Sequence, residues 1–264
     1  MNSLFDYEEW EMPDQKIILN KINNLCNMHK LGLLGGEVMP EDANPNLDKN
    51  SAENYHYFTL PMALNYQRNS YKLWPAATKA YKNIESRKVF TPKEVCKMNL
   101  SELRDYLVYY KIALQPNKHV EIWKTICDTI VNNYDGDIRN LFIQTGGDIK
   151  LIKNIVQEQK KKEFPYLSGS KICNYWLYVM GDYTSAKLVN RQYITVAPDT
   201  HVIQSTFRLG LINPKERDNP KVREIVSDVW NEILKDTSLL PIDIHTPLWL
   251  WSRGGFTQIV TIEE

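Results

Sequence analysis

The chain of 264 residues reads as an all-α protein. Apolar residues recur at helical spacing along nearly its whole length. The one strand-like alternation, RQYITVAP at 191–198, is short. The breaks between apolar stretches carry helix-capping and turn residues rather than hairpin pairs. Hydrophobic residues make up 43% and charged residues 24%, an ordinary globular balance. A chain of this length buries a proper core either as one large domain or as two modest ones.

Taken in order, the first helix is PDQKIILNKINNLCNMHKLG, with Ile17, Ile18, Ile22, Leu25 and Met28 on one stripe and Gly32 as C-cap. GGEVMPEDANPNLDKNSAEN, rich in Pro, Asn, Gly and acid, reads as a linker. YHYFTLPMALNYQ, NSYKLWPAATKAYKN, NLSELRDYLVYYKIA and KHVEIWKTICDTIVNNY follow as successive helices. Asn69-Ser70, Thr91-Pro92, Asn99 with Ser101, and Gln115-Pro116-Asn117 supply the breaks. GGDIKLIKNIVQEQKKK adds another helix, and a new one begins near Ser170 after the turn FPYLSG. Beyond Asp199 come DTHVIQSTFRLGLI, PKVREIVSDVWNEILKD and TPLWLWSRGG, which brings the total to about ten helices.

Several classes of function are disfavoured. MNSLFDYEEWEMPDQK lacks the basic start and apolar run of a signal peptide, and no apolar run reaches the roughly 18 residues of a membrane span. The expected location is cytoplasmic, with no membrane partner. Cys26, Cys96, Cys127 and Cys173 lie far apart, without a C-x-x-C pair, so neither a disulfide framework nor a structural metal is expected. Net charge is zero, but residues 151–208 carry eight basic side chains against four acidic ones. A local basic face on a neutral protein suits gripping one short piece of DNA better than coating it.

Two side chains raise the question of chemistry. The turn before Lys171 leaves the backbone N–H groups of Ser168, Gly169 and Ser170 unpaired at the positive end of a helix, an arrangement that accepts phosphate. Lys171 follows, one turn into an apolar helix. Partial burial and the helix dipole both favour the neutral, nucleophilic amine. Asp199 stands before THVIQSTFRLGL. By residue type alone Asp199 is an N-cap and Lys171 a surface lysine.

The stretch PYLSGSKICN resembles the L-P-G-V-G-x-K-T-A-N hairpin of the helix-hairpin-helix DNA glycosylases, the superfamily of endonuclease III and the 8-oxoguanine glycosylases. APDTHV resembles their V-D-T-H-V/I segment, which supplies the catalytic aspartate. ALNYQRNSYKLW is similar to the family's early A-x-x-x-Q segment. YYKIA with NNYDGDI is similar to its G-Y-Y stretch, and TPLWLWSRGG to its closing helix. The likeness spans residues 55 to 255, most of the chain. The hairpin has one glycine where the family has two, with Ser168 in its middle, and GDYTSAKLVNRQ is extra. The four-cysteine iron–sulfur loop is absent, which points to the cluster-less oxidised-purine branch.

The resemblance implies two domains, 55–197 and a second of 1–54 with 198–264, and an active site in the cleft between them. It implies a monomeric enzyme of base-excision repair, acting on damaged double-stranded DNA without cofactor or metal. The damaged nucleotide is flipped out of the duplex at a cost of roughly a few kcal/mol. Gln67 plugs the gap or reads the base. Asp199 stabilises positive charge on the sugar and helps activate the amine of Lys171. Lys171 attacks C1′ and forms a Schiff base, and β-elimination nicks the strand. Ser168, Gly169, Ser170 and His201 touch DNA phosphates. His245 reads the base and Trp249 stacks on it, the favoured base being 8-oxoguanine. Two alternatives stand beside this: a non-catalytic helix-hairpin-helix DNA-binding module, and an N-glycosidase acting on another modified base or nucleotide.

Overall fold

The computed structural model describes residues 10–34, 39–196 and 198–258. Among these residues the protein is helical, without a β-strand. An isolated bridge pairs Asp148 with Val189. The α-helices in chain order are α1 (Gln15–Lys30), α2 (Ala52–Ala63), α3 (Ser70–Lys82), α4 (Pro92–Lys97), α5 (Leu100–Tyr109), α6 (Lys118–Tyr134) and α7 (Arg139–Gln144). They continue as α8 (Ile149–Lys153), α9 (Ser170–Tyr183), α10 (Thr200–Arg208), α11 (Pro214–Arg217), α12 (Val222–Ile233) and α13 (His245–Arg253). Three of them were not anticipated: α4 and α7, of six residues each, and α11, of four, are too short to show a period. The expected strand at 191–198 begins instead as a 3₁₀ turn, Arg191–Tyr193. Among the described residues no helix is long and apolar enough to cross a membrane.

The chain divides into two compact units, Val38–Ile194 and Met1–Glu37 with Thr195–Glu264. The larger is built around α2, whose residues Asn54 to Ala63 are all buried. A helix apolar on every side belongs inside a core. α9 packs against it, with the Trp176 indole N–H donating to Thr59 Oγ1 at 3.1 Å. Tyr57, Phe58, Trp74, Tyr81, Phe90 and Trp123 form a contiguous ring cluster beside it. Such cores gain from edge-on aromatic contacts beyond the area they bury.

The first domain boundary lies earlier in the chain than expected, at 37/38 rather than 54/55. The reason is chemical. The segment read as a linker is bound into the larger unit, with Glu41 fully buried. Tyr175 donates to Glu41 Oε2 at 2.8 Å, and Tyr183 donates to Asp42 Oδ1 at 2.8 Å. Both tyrosines belong to α9, so these acids fasten the incoming chain to that helix. Glu41 Oε1 and Trp74 Nε1 are buried and complete no hydrogen bond.

In the smaller unit, α1 buries Ile18, Ile22, Leu25 and Cys26. Ile17, expected on that stripe, is 41% exposed, because the buried face is centred one residue further on. Asp14 caps the helix start, accepting from the N–H groups of Lys16 and Ile17. Gly32 closes it as expected: at φ 70° it donates to His29 O, while Leu33 donates to Met28 O. Ser205 Oγ of α10 donates to Leu248 O of α13 at 2.7 Å, and Trp230 Nε1 of α12 to Thr206 Oγ1 at 2.9 Å. α13 starts at His245, one residue before the stretch TPLWLWSRGG in which it was expected.

Burial pushes the Glu41 carboxyl up from 4.5 to about 7, against the downward pull of the Tyr175 hydroxyl and the nearby Trp74 indole. The folded state therefore holds a proton that the unfolded chain releases near pH 4.5. Stability falls as pH rises from 4.5 to about 7 and levels off above that, by an amount of about 3 kcal/mol. Glu41→Gln should flatten that slope in urea unfolding between pH 5 and pH 8. An equal slope in variant and parent would show that Glu41 ionises without cost.

Candidate active site

The turn before Lys171 is built from both ends. α8 runs on as a π-helix, Asn154–Gln159, and the Lys160 N–H donates to Ile155 O at 2.8 Å. Phe164 then enters the core, fully buried. The left-handed residue of the turn is Tyr166, at φ 62°, while Gly169 has φ −63° and caps α9 in extended conformation. A Cβ on Gly169 would meet Tyr166 O at 3.2 Å, so close packing rather than backbone freedom favours glycine there.

The donors expected to be unpaired are largely used. Ser168 N–H donates to Phe164 O at 2.9 Å, and Gly169 N–H to Tyr166 O at 3.0 Å. Ser168 is buried, its hydroxyl donating to Lys161 O and its carbonyl accepting from Gln157 Nε2. These two residues shape the turn. Phosphate binding by their N–H groups is set aside, and Ser170 remains at the first helical position. The physical cause is the tight 164–169 turn, which satisfies its own donors before α9 begins.

Lys171 is the second residue of α9 and is exposed. The expected partial burial is absent, because Ile172, Cys173, Trp176 and Leu177 take the inward positions and leave Lys171 on the outer face. Beneath it, Asn174 Nδ2 donates to Ser170 O at 2.8 Å, and Lys153 Nζ donates to Asn174 Oδ1 at 3.2 Å and to Tyr193 O at 3.0 Å. Burial holds the Lys153 ammonium below its ordinary range. Asn174 had a signal in the sequence, as the last residue of the hairpin motif; Lys153 had none.

Gln67 is exposed, at φ 50°, on the loop between α2 and α3. Its neighbours hold the loop. Arg68 donates to Ile112 O and Lys111 O, and the Tyr66 ring lies 5.1 Å from that of Tyr166. Tyr166 also carries Lys118 Nζ over its face at 5.1 Å and the His119 ring edge-on at 6.3 Å. The Gln67 loop and the hairpin turn are therefore neighbours in the larger unit, joined through two tyrosines that sequence reasoning did not select.

In the smaller unit Asp199 is the N-cap of α10. Its Oδ1 accepts from His201 N and Val202 N, each at 3.0 Å. Its Oδ2 accepts from the Trp249 indole N–H at 3.1 Å. The Trp249 ring stands edge-on to His201, centroids 5.4 Å apart, with the Arg253 guanidinium 5.4 Å over it. His201 Nδ1 pairs with Ser252 Oγ at 3.1 Å, and Ser252 Oγ donates to Gln204 Oε1 at 2.9 Å. Trp249 is 8% exposed and His245 is 3% exposed, so a base meets little open surface on either. The structure thus gathers Asp199, His201 and Trp249 in one unit, and Lys171, Ser170 and Gln67 in the other. Among the described residues no group of three His, Cys, Asp or Glu is placed to hold a metal ion.

No protein-family model matches the chain, and a search of curated proteins returns no match.

Asp199→Asn preserves the cap but sets an amide against the indole N–H or gives up one of the backbone bonds. A buried donor left without its partner costs roughly 1–3 kcal/mol, whereas Asp and Asn cap equally well. The variant should therefore lower stability by about that much in urea unfolding, and Trp249→Phe in the same background should add little from the lost bond. A variant as stable as the parent would show that the indole finds another acceptor.

Proposed function

We propose that the chain is a base-excision-repair DNA glycosylase with AP-lyase activity, using Lys171 as the Schiff-base nucleophile and Asp199 as its partner carboxylate. One observation carries this reading: α9 buries Ile172, Cys173, Asn174, Trp176, Leu177, Val179 and Met180 yet leaves Lys171 exposed near the helix N-terminus. A bulky substrate such as a flipped nucleotide needs an accessible amine there. Asp199, held as the cap of α10, supplies the negative charge that an electron-poor sugar requires.

The chemistry follows from these roles. The C1′–N bond breaks with its electron pair leaving on the base, and Lys171 Nζ bonds to C1′ after losing a proton. Asp199 stabilises the positive charge on the sugar and assists that proton transfer. Ring opening gives the protonated imine, and loss of a C2′ proton expels the 3′ phosphate. The reading requires both residues to serve one nucleotide. Ser170 at the start of α9 and His201 near the start of α10 contact phosphates. Gln67, on a loop tied to the hairpin turn, fills the gap left in the duplex. The substrate is an oxidised purine, 8-oxoguanine foremost, read by His245. The enzyme works in the cytoplasm as a monomer.

Lys171→Gln should abolish both borohydride trapping and strand nicking on 8-oxoguanine duplexes while the melting temperature stays within a few degrees of the parent. Continued trapping by the variant would assign the chemistry to another amine. No trapping by the parent on any lesion would favour the non-catalytic DNA-binding reading.

Few phosphates are contacted in this reading, so the salt dependence of duplex binding should be shallow beside that of a strongly basic DNA-binding protein. Binding isotherms between 50 and about 200 mM salt measure it. Preferential excision of thymine glycol or uracil over 8-oxoguanine would overturn the substrate assignment and leave the glycosylase standing.

A further inference from the structure

We infer that Trp249 is a positioning residue for Asp199, acting through its indole N–H rather than through the face of its ring. The catalytic half of this inference rests on the glycosylase reading; the contact itself does not. An N-cap needs one carboxylate oxygen. Asp199 Oδ1 does that work alone, accepting the N–H groups of His201 and Val202 at 3.0 Å. Oδ2 is left to sweep about the Cβ–Cγ bond unless something holds it. The Trp249 indole N–H, 3.1 Å away, is that hold.

The donor is itself fixed. Arg253 lies 5.4 Å over the Trp249 ring, and the His201 ring meets it edge-on at 71°. Ser252, in the next turn of α13, binds both His201 Nδ1 and Gln204 of α10. Ser205 Oγ ties α10 to the Leu248 carbonyl beside Trp249. These contacts pack the indole against the carboxylate on several sides. An indole N–H is a donor that does not titrate, so the hold is the same at every working pH. A carboxylate oriented before the sugar becomes cationic spends nothing on reorganisation when charge develops, which is where electrostatic catalysis gains most.

The deciding comparison is Trp249→Phe against Trp249→Ala. Phenylalanine keeps an aromatic face and loses only the N–H. Positioning requires both variants to lose about ten- to a hundredfold in kcat on an 8-oxoguanine duplex, with KM and binding to an abasic-site analogue unchanged. A phenylalanine variant with parental kcat overturns the inference and returns Trp249 to base stacking; so does a loss confined to KM. The contact is tested without activity. The Trp249 Nε1–H resonance, identified by its disappearance in Trp249→Phe, should move when Asp199→Asn is introduced. The two substitutions together should shift the unfolding constant no further than the larger alone. A resonance that stays in place, with fully independent effects on unfolding, overturns the inference even if no lesion is a substrate. A moving resonance on a protein inactive towards every lesion retains the hold on Asp199 and rejects the glycosylase reading alone.

Discussion

Everything on the lysine side of the candidate site depends on one helix meeting two opposed demands. α9 must bury Ile172, Cys173, Trp176, Leu177, Val179 and Met180 while its second residue stays in water. The Trp176–Thr59 hydrogen bond and the fit against α2 fix its rotation. The hairpin turn, the Asn174–Ser170 bond and the Glu41 and Asp42 clasps are all additions to that fixed axis. Rigidity of this kind is what a nucleophile on a helix terminus gains over one on a loop.

The smaller unit solves its version of the problem differently. There the candidate carboxylate is a cap, so its first duty is to the helix it begins. Asp199 can serve α10 with one oxygen and still present an oriented carboxylate, because a neighbouring helix supplies a third donor. Helix capping and the carboxylate's orientation then draw on the same three bonds, which ties that orientation to the packing of α10 on α13.

Much of this was legible in the sequence because it is local. The periods of α6, α9 and α12, the Asp199 cap and the Gly32 terminator are decided within one or two turns, and they stand where sequence reasoning put them. What was not legible depends on distant partners. Glu41 looked like linker acid, and only Tyr175, far along the chain, makes it a buried group. Trp249 looked like a base-stacking ring, and only the bond to Asp199 shows what its N–H does. The hairpin misled for another reason: the glycine that marks the motif sits at an ordinary φ, while an aromatic residue takes the left-handed position. A turn of that kind has no glycine signal at the place where the chain bends.

That last feature bears on how the molecule fluctuates. A tyrosine in the left-handed region costs roughly 1–2 kcal/mol, which something must offset. Here the offset is contact: Tyr166 is braced by Tyr66, His119 and Lys118. A glycine in its place would let the turn flicker alone. With tyrosine there, opening the turn means breaking contacts to the Gln67 loop and to the start of α6 as well. The three segments become one cooperative opening unit, sharing a single protection against amide exchange. A hairpin turn and a Gln67 loop built that way stiffen and loosen in step, so that neither moves without the other.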